Sequence, residues 1–196
     1  MPAQTVWRFV MRVSGCIAVA AAVAVALAGC AGSGAQQAQS QAAVTSAAPS
    51  GMQPDAVGRA VPEQLRFTSA LVDGISFEGS SLAGKDAVLW FWAPWCGECR
   101  REAPHVAAVQ KATGDKVVVM GVAGRGDNAG MRSFIDATGV GGFAHIVDTD
   151  GTVWQRFGVV QQPAYAFIDH TGAVTVVRGS LGEDELAARV DALSSS

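Results

Sequence analysis

Charge is scarce along this chain. Only 16% of its 196 residues are Asp, Glu, Lys or Arg, and acids outnumber bases 17 to 14. There is no basic stripe, which argues against nucleic acid as a partner. A hydrophobic run long enough to cross a membrane is missing too. The stretch Gly15 to Ala28, "GCIAVAAAVAVALA", has 14 residues, against the roughly 20 that a spanning helix needs. The three histidines, His105, His145 and His170, are scattered without ligand spacing, and no second Cys-x-x-Cys is present. A four-ligand zinc site is therefore not expected. No internal repeat is visible. The glycine-rich "GVAGRGDNAG" lacks the G-x-x-x-x-G-K-[ST] pattern of a phosphate loop. It reads as the loop after a buried strand, and its "GRGD" as incidental rather than an adhesion signal.

The short apolar run follows Arg8 and Arg12, the order of a secretory signal peptide. It ends in "LAGC", Leu27 to Cys30, which resembles a bacterial lipobox cut before a cysteine that then carries lipid. The expectation is a signal peptide over 1–29, lipidated Cys30, and attachment to a membrane through acyl chains. From Ala31 to about Ala60 the chain is rich in Ala, Gln, Ser and Gly and carries no charge before Asp55. It holds too little apolar surface to fold alone, so 30–60 reads as a flexible tether. Removing Arg8 and Arg12 leaves 12 bases against 17 acids, a formal charge of about −5. Cys96 and Cys99 are then the only free thiols, in a compartment that permits disulfides.

Residues 61–196 suffice for one domain with a sizeable core. "LRFTSALVDGISFEG" alternates around Asp73-Gly74, a hairpin signal. "AVLWFWA" (Ala87 to Ala93) and "KVVVMGVAG" are continuous apolar runs, as strands buried on both faces are. Helices are expected from Cys96 to about Thr113, over Asn128 to Gly139, over Thr152 to Val159, and over "EDELAARVDAL", whose acids suit a helix N-terminus. Shorter strands follow at "FAHIVD", "PAYAFID" and "AVTVVRG". The order is β-β-β-α-β-α-β-α-β-β-α, an α/β sheet with helices on both faces.

The stretch "WFWAPWCGECRREAP", Trp90 to Pro104, carries the chemistry. Cys96 falls at a helix N-terminus, where unpaired N–H groups and the helix dipole stabilise a thiolate. Cys99, three residues on, shares its face. A structural staple of this span closes too short a loop to stabilise much. A redox dithiol is the favoured reading over a staple, a zinc half-site or an incidental apolar pair.

"FWAPWCGEC" resembles the thioredoxin active site, F-W-A-x-W-C-x-x-C. "CRREAP", with Pro104 five residues past the second cysteine, "VVQQPAYAFID" and the N-terminal hairpin resemble the TlpA/ResA/DsbE branch of extracytoplasmic thiol–disulfide oxidoreductases. Actinobacterial DsbE/DsbF-type lipoproteins are the nearest in appearance. The resemblance implies a thioredoxin-like mixed sheet with an N-terminal hairpin extension. It implies that Cys96 is the exposed nucleophile, Cys99 the buried resolving thiol, and the two a reversible disulfide. Pro163 would be the cis-proline opposite them, presenting the backbone of Gln162 to a client strand, with Trp95 lining the groove. Plain thioredoxins carry a buried Asp six residues before the first cysteine; here that position is Trp90. Glu102 is the expected proton carrier instead, as in the ResA-like branch. No cofactor is expected. The implied partners are client proteins with cysteine thiols or disulfides and a redox partner in the membrane or envelope, for a monomer held on the outer face of the cytoplasmic membrane.

The direction of exchange stays open in the sequence. Glu98 disfavours a neighbouring thiolate, while Arg100 and Arg101 favour it. Each exposed charge is worth about 0.3–1 kcal/mol, whereas proteins of this fold span about 150 mV, or about 7 kcal/mol. The absence of a histidine between the cysteines leans toward a reducing poise. The alternative class is a non-redox binding module or metallochaperone on the same fold, disfavoured by the Cys-x-x-Cys spacing and tryptophan-rich flank. A peroxidase would need its cysteine in a different loop context.

Overall fold

Among the residues that the computed structural model describes, 53–54 and 60–195, strands and helices alternate in nearly the order read above. The expected signal peptide, Cys30 and most of the tether lie outside the described residues. Within the 30–60 span, however, β1 (Gln53–Pro54) pairs antiparallel with β2 (Ala60–Val61). Strand pairing thus reaches back past the expected boundary at residue 61. Val61, only 3% exposed, anchors this ribbon to the core.

A hairpin follows: β3 (Thr68–Ala70) against β4 (Ser76–Glu78), with Gly74 at φ 95° in its turn. The main sheet contains β5 (Ala87–Trp92), β6 (Val118–Gly124), β7 (His145–Asp148), β8 (Ala164–Ile168) and β9 (Val174–Arg178), in the order β7-β6-β5-β8-β9. β5, β6 and β7 run parallel, and β8 and β9 are antiparallel additions. The helices are α1 (Gly97–Thr113), α2 (Asn128–Thr138), α3 (Thr152–Arg156) and α4 (Glu183–Ser194). The third is shorter than the sequence suggests, because the chain turns at Gly158, φ 63°, where a helix cannot continue.

Every residue of β5 is buried, as a central strand covered on both faces requires. Its side chains alternate between two cores. Val88, Trp90 and Trp92 meet α1, α2 and α4 through Val106, Phe134 and Leu186. Leu89 and Phe91 meet Met120, Ile146 and Trp154 on the other face. The three longer helices thus share one face, and α3 with two short 3-10 turns covers the other. The hairpin flanks the outer edge of β7, through a Leu71–Ile146 bridge and Val72 N–H donating to the His145 carbonyl at 2.9 Å.

Candidate active site

The C-terminal end of β5 delivers the chain to the site. Ala93 to Trp95 form a turn in which Cys96 N–H donates to the Ala93 carbonyl (3.0 Å), and α1 begins at the next residue. Cys96 is the N-cap of that helix, and its Sγ accepts from the Cys99 N–H at 3.0 Å. A donor aimed at the sulfur at the positive end of a 17-residue helix is the arrangement that stabilises a thiolate. The two cysteines form a disulfide with their Cα atoms 5.3 Å apart.

Cys99 is fully buried, but Cys96 is only 5% exposed, which corrects the exposed nucleophile expected from the sequence. Its sulfur is turned inward onto Cys99 and the Cys99 amide. The exposed member of the motif is Trp95, at 61%. Trp95 Nε1–H donates to the Arg125 carbonyl at 2.8 Å.

Pro163 is buried and its bond to Gln162 is cis. The β5–β8 register ends with Phe91 opposite Ala164, so Pro163 lies beside the end of β5 from which the cysteine turn departs. Gln162 is half-buried in the loop before it.

Glu102 is the buried charge of the site. It is 3% exposed, one turn beyond Cys99 on the inward face of α1. Trp90 Nε1–H donates to its Oε2 at 3.1 Å, and Leu181 N–H to its Oε1 at 2.5 Å. Trp90, at the position where plain thioredoxins carry an acid, is thus a donor to an acid arriving from the helix. Burial raises the Glu102 carboxyl above the usual range, and these donors hold it back only in part. Glu98, in the spacer, is tied outward instead. Ser180 Oγ donates to it at 3.0 Å and Arg101 forms an ion pair with it, and together they lower its carboxyl. The repulsive charge expected beside the thiolate is therefore partly compensated.

Several neighbours had no signal in the sequence. Arg125 is the only non-glycine with positive φ (53°) among the described residues. Its guanidinium lies over Trp154 at 5.1 Å and donates to the carbonyl of Val160 at 3.3 Å. It therefore joins the cysteine turn to the loop before Pro163, whose Val160 is 68% exposed. Behind the site, Trp92 stacks on Phe134 at 4.2 Å and donates to Nδ1 of buried His145 at 3.2 Å. A side chain at Gly121 would meet that Nδ1 at 2.0 Å, so only glycine admits the ring there. No cluster of three or more metal-ligating side chains occurs among the described residues. A cleft of about 800 Å³ lies beside the hairpin, lined by none of the site residues, and its Arg66 and Arg156 already face Glu63.

A model of the AhpC/TSA family matches residues 57–177. The chain belongs to that family. Among its relatives, the soluble secreted antigen MPT53 of Mycobacterium tuberculosis is 41% identical over 139 residues, covering 69% of this chain and 79% of the relative. Thiol-disulfide oxidoreductase ResA of Oceanobacillus iheyensis is 32% identical, over 66% of this chain and 69% of its own. The solved structure of MTB dsbF superposes with a TM-score of 0.66 at 51% identity, over 68% of this chain and 98% of that one. A secreted Mycobacterium tuberculosis disulfide oxidoreductase homologous to E. coli DsbE gives 0.64 at 41% identity, over 67% and 98%. The fold is thioredoxin-like, and the protein is a thiol–disulfide oxidoreductase of the DsbE/ResA type.

Proposed function

We propose that the protein exchanges disulfides with client proteins outside the cytoplasmic membrane, held there by lipid on Cys30, through the Cys96–Cys99 dithiol. The observation that carries this reading is the disulfide capping α1, with the buried acid Glu102 one turn beyond it. In the reductive direction, the Cys96 thiolate attacks a client disulfide. A mixed disulfide forms and one client sulfur leaves as thiolate. Glu102 takes the Cys99 proton, and the Cys99 thiolate attacks Cys96 Sγ, releasing the second client thiolate. Two electrons pass to the client, and the oxidative direction reverses each step. Trp95, Gln162 and Pro163 form the client ledge, where an extended client segment adds its backbone beside Gln162. Arg125 holds the ledge together and Val160 extends it.

Titration of the Cys96/Cys99 couple against glutathione tests the reading and assigns the direction. A potential near about −270 mV makes the protein a reductant, and one near about −120 mV an oxidant. Cys96→Ser is expected to abolish exchange with a model dithiol; residual turnover of that variant would overturn the assignment. Partition of the full chain into membranes, lost in Cys30→Ala, tests the anchor.

A further inference from the structure

Three large hydrophobic side chains stand exposed among the described residues: Ile75, Trp95 and Val160. Ile75 lies in the connection of the hairpin. The other two flank the site, Trp95 directly before Cys96 and Val160 three residues before Pro163. One residue joins them. The Trp95 indole donates to the Arg125 carbonyl at 2.8 Å, and the Arg125 guanidinium donates to the Val160 carbonyl at 3.3 Å.

The backbone of Arg125 is held where a side chain is unfavourable. Its φ of 53° is in the left-handed region, which glycine enters without penalty. Glycine stands on both sides, and each is required by a close approach. A Cβ at Gly124 would come within 2.6 Å of the Trp154 ring, and one at Gly126 within 2.4 Å of the Pro94 ring in the cysteine turn. The β6–α2 loop is thus pressed between α3 and the cysteine turn. Its central residue carries a side chain where a third glycine would ease the backbone. That side chain lies over Trp154 at 5.1 Å and holds the Val160 carbonyl. A strained residue kept where glycine would serve the fold points to a use in function.

The same loop is a ridge between two clefts. One, of about 390 Å³, is bordered by Pro94, Trp95 and Gly126; the other, of about 410 Å³, by Arg125, Trp154 and Val160. Each has one exposed apolar side chain on its margin. We propose that Arg125 is a positioning residue that sets client specificity. It fixes the spacing of Trp95 and Val160, so that the site favours extended client segments with apolar side chains on both sides of the cysteine. Such side chains remove Trp95 and Val160 from water, and surfaces fixed in advance lose little freedom when a client binds. This names the client class for the exchange reaction proposed above and rests on that reading.

The test uses the full chain with Cys16 and Cys30 replaced by serine, so that Cys96 and Cys99 are its only thiols. Two extended peptides each carry one cysteine as its mixed disulfide with thionitrobenzoate. Leucine flanks the cysteine on both sides in one peptide, and serine in the other. The Cys96 thiolate of the reduced chain attacks the peptide sulfur, and the thionitrobenzoate thiolate leaves and is read by its absorbance. Cys99 then displaces the peptide thiolate and closes the Cys96–Cys99 disulfide. The half-saturating concentration in the parent should be about tenfold lower for the leucine peptide, with limiting rates within about twofold. In Arg125→Gly and Arg125→Asn, both suited to a positive φ, that preference should shrink to about twofold or less, with the melting temperature kept or raised. A parent without the preference overturns the client class. Variants that keep the parent's preference overturn the role of Arg125, whatever happens to their stability. Loss in Arg125→Gly alone, with Arg125→Asn like the parent, assigns the effect to loop freedom and overturns it as well. In all three cases the exchange reading stands. Release from Cys96→Ser as fast as from the parent brings down that reading and this inference with it.

Discussion

Glu102 and Asp148 are the two buried carboxyls of the described residues, 3% and 2% exposed, and burial is the main cause that raises both. Their partners differ. Asp148 ends β7 and takes the N–H groups of Val153 and Trp154 at 2.9 and 2.8 Å, five and six residues on. It is a cap that fastens α3 to the strand before it. Glu102 takes donors 12 and 79 residues away, on β5 and the β9–α4 loop, and sits one turn from a reactive sulfur. Desolvation alone therefore does not make an acid functional. In the proposed reaction, what distinguishes the two is whether the neighbours are fixed amides of a local turn or, as at Glu102, include a thiol that exchanges a proton.

The sharpest way to break the comparison is Asp148→Ala. It strands two buried N–H groups, at roughly 1–3 kcal/mol each, so the urea midpoint should fall by the equivalent of about 2–6 kcal/mol. Exchange per folded molecule should stay as it was; a loss of exchange at unchanged stability would assign Asp148 to the chemistry. Next in size is His145, the buried base among the described residues. Its Nε2 faces the Val140 carbonyl at 2.8 Å, and its Nδ1 accepts from Trp92, so the ring is neutral. Burial lowers its pKa from 6.5 to about 4. A base with a depressed folded pKa contributes stability that is present above pH 6.5 and lost as pH falls toward 4, about 3 kcal/mol in all. The two carboxyls run the other way. With raised folded values, their contribution is present below the unfolded pKa and lost as pH rises through the folded one. NMR titration of the His145 ring should show it neutral down to about pH 4, and protonation near 6.5 would sink the assignment. The smallest effect on the fold is expected from Glu102→Gln, with a urea midpoint within about 1 kcal/mol of the parent and exchange slowed about tenfold. A variant that unfolds with its exchange chemistry intact would make Glu102 a second Asp148.

The sequence made the motif and the element order legible because both are local. A six-residue apolar run, a cysteine at a helix start and a glycine past a helix end are readable in a short window. Glu102 was legible as a position but not as an environment: helical spacing put it on the cysteine face, and only the fold shows Trp90 and Leu181 closing over it. His145 and Arg125 gave no local signal, since their partners are contributed by other strands and loops. Asp148 was not singled out: the helix after it was expected, but only the fold shows the strand-end carboxylate taking that helix's first N–H groups.

The hairpin has a consequence of a different kind. A sheet ordinarily offers two free margins on which a foreign strand can lengthen the ladder. Here the β7 margin is occupied: the His145 carbonyl takes Val72 N–H, Ile146 is bridged to Leu71, and the Val147 carbonyl takes Ser69 Oγ–H at 2.6 Å. Among the described residues, that leaves β9 as the margin open to accidental self-association. Any chain that lengthens this sheet by strand pairing would therefore do so at β9, across β8 from β5, the strand that leads into the cysteine turn.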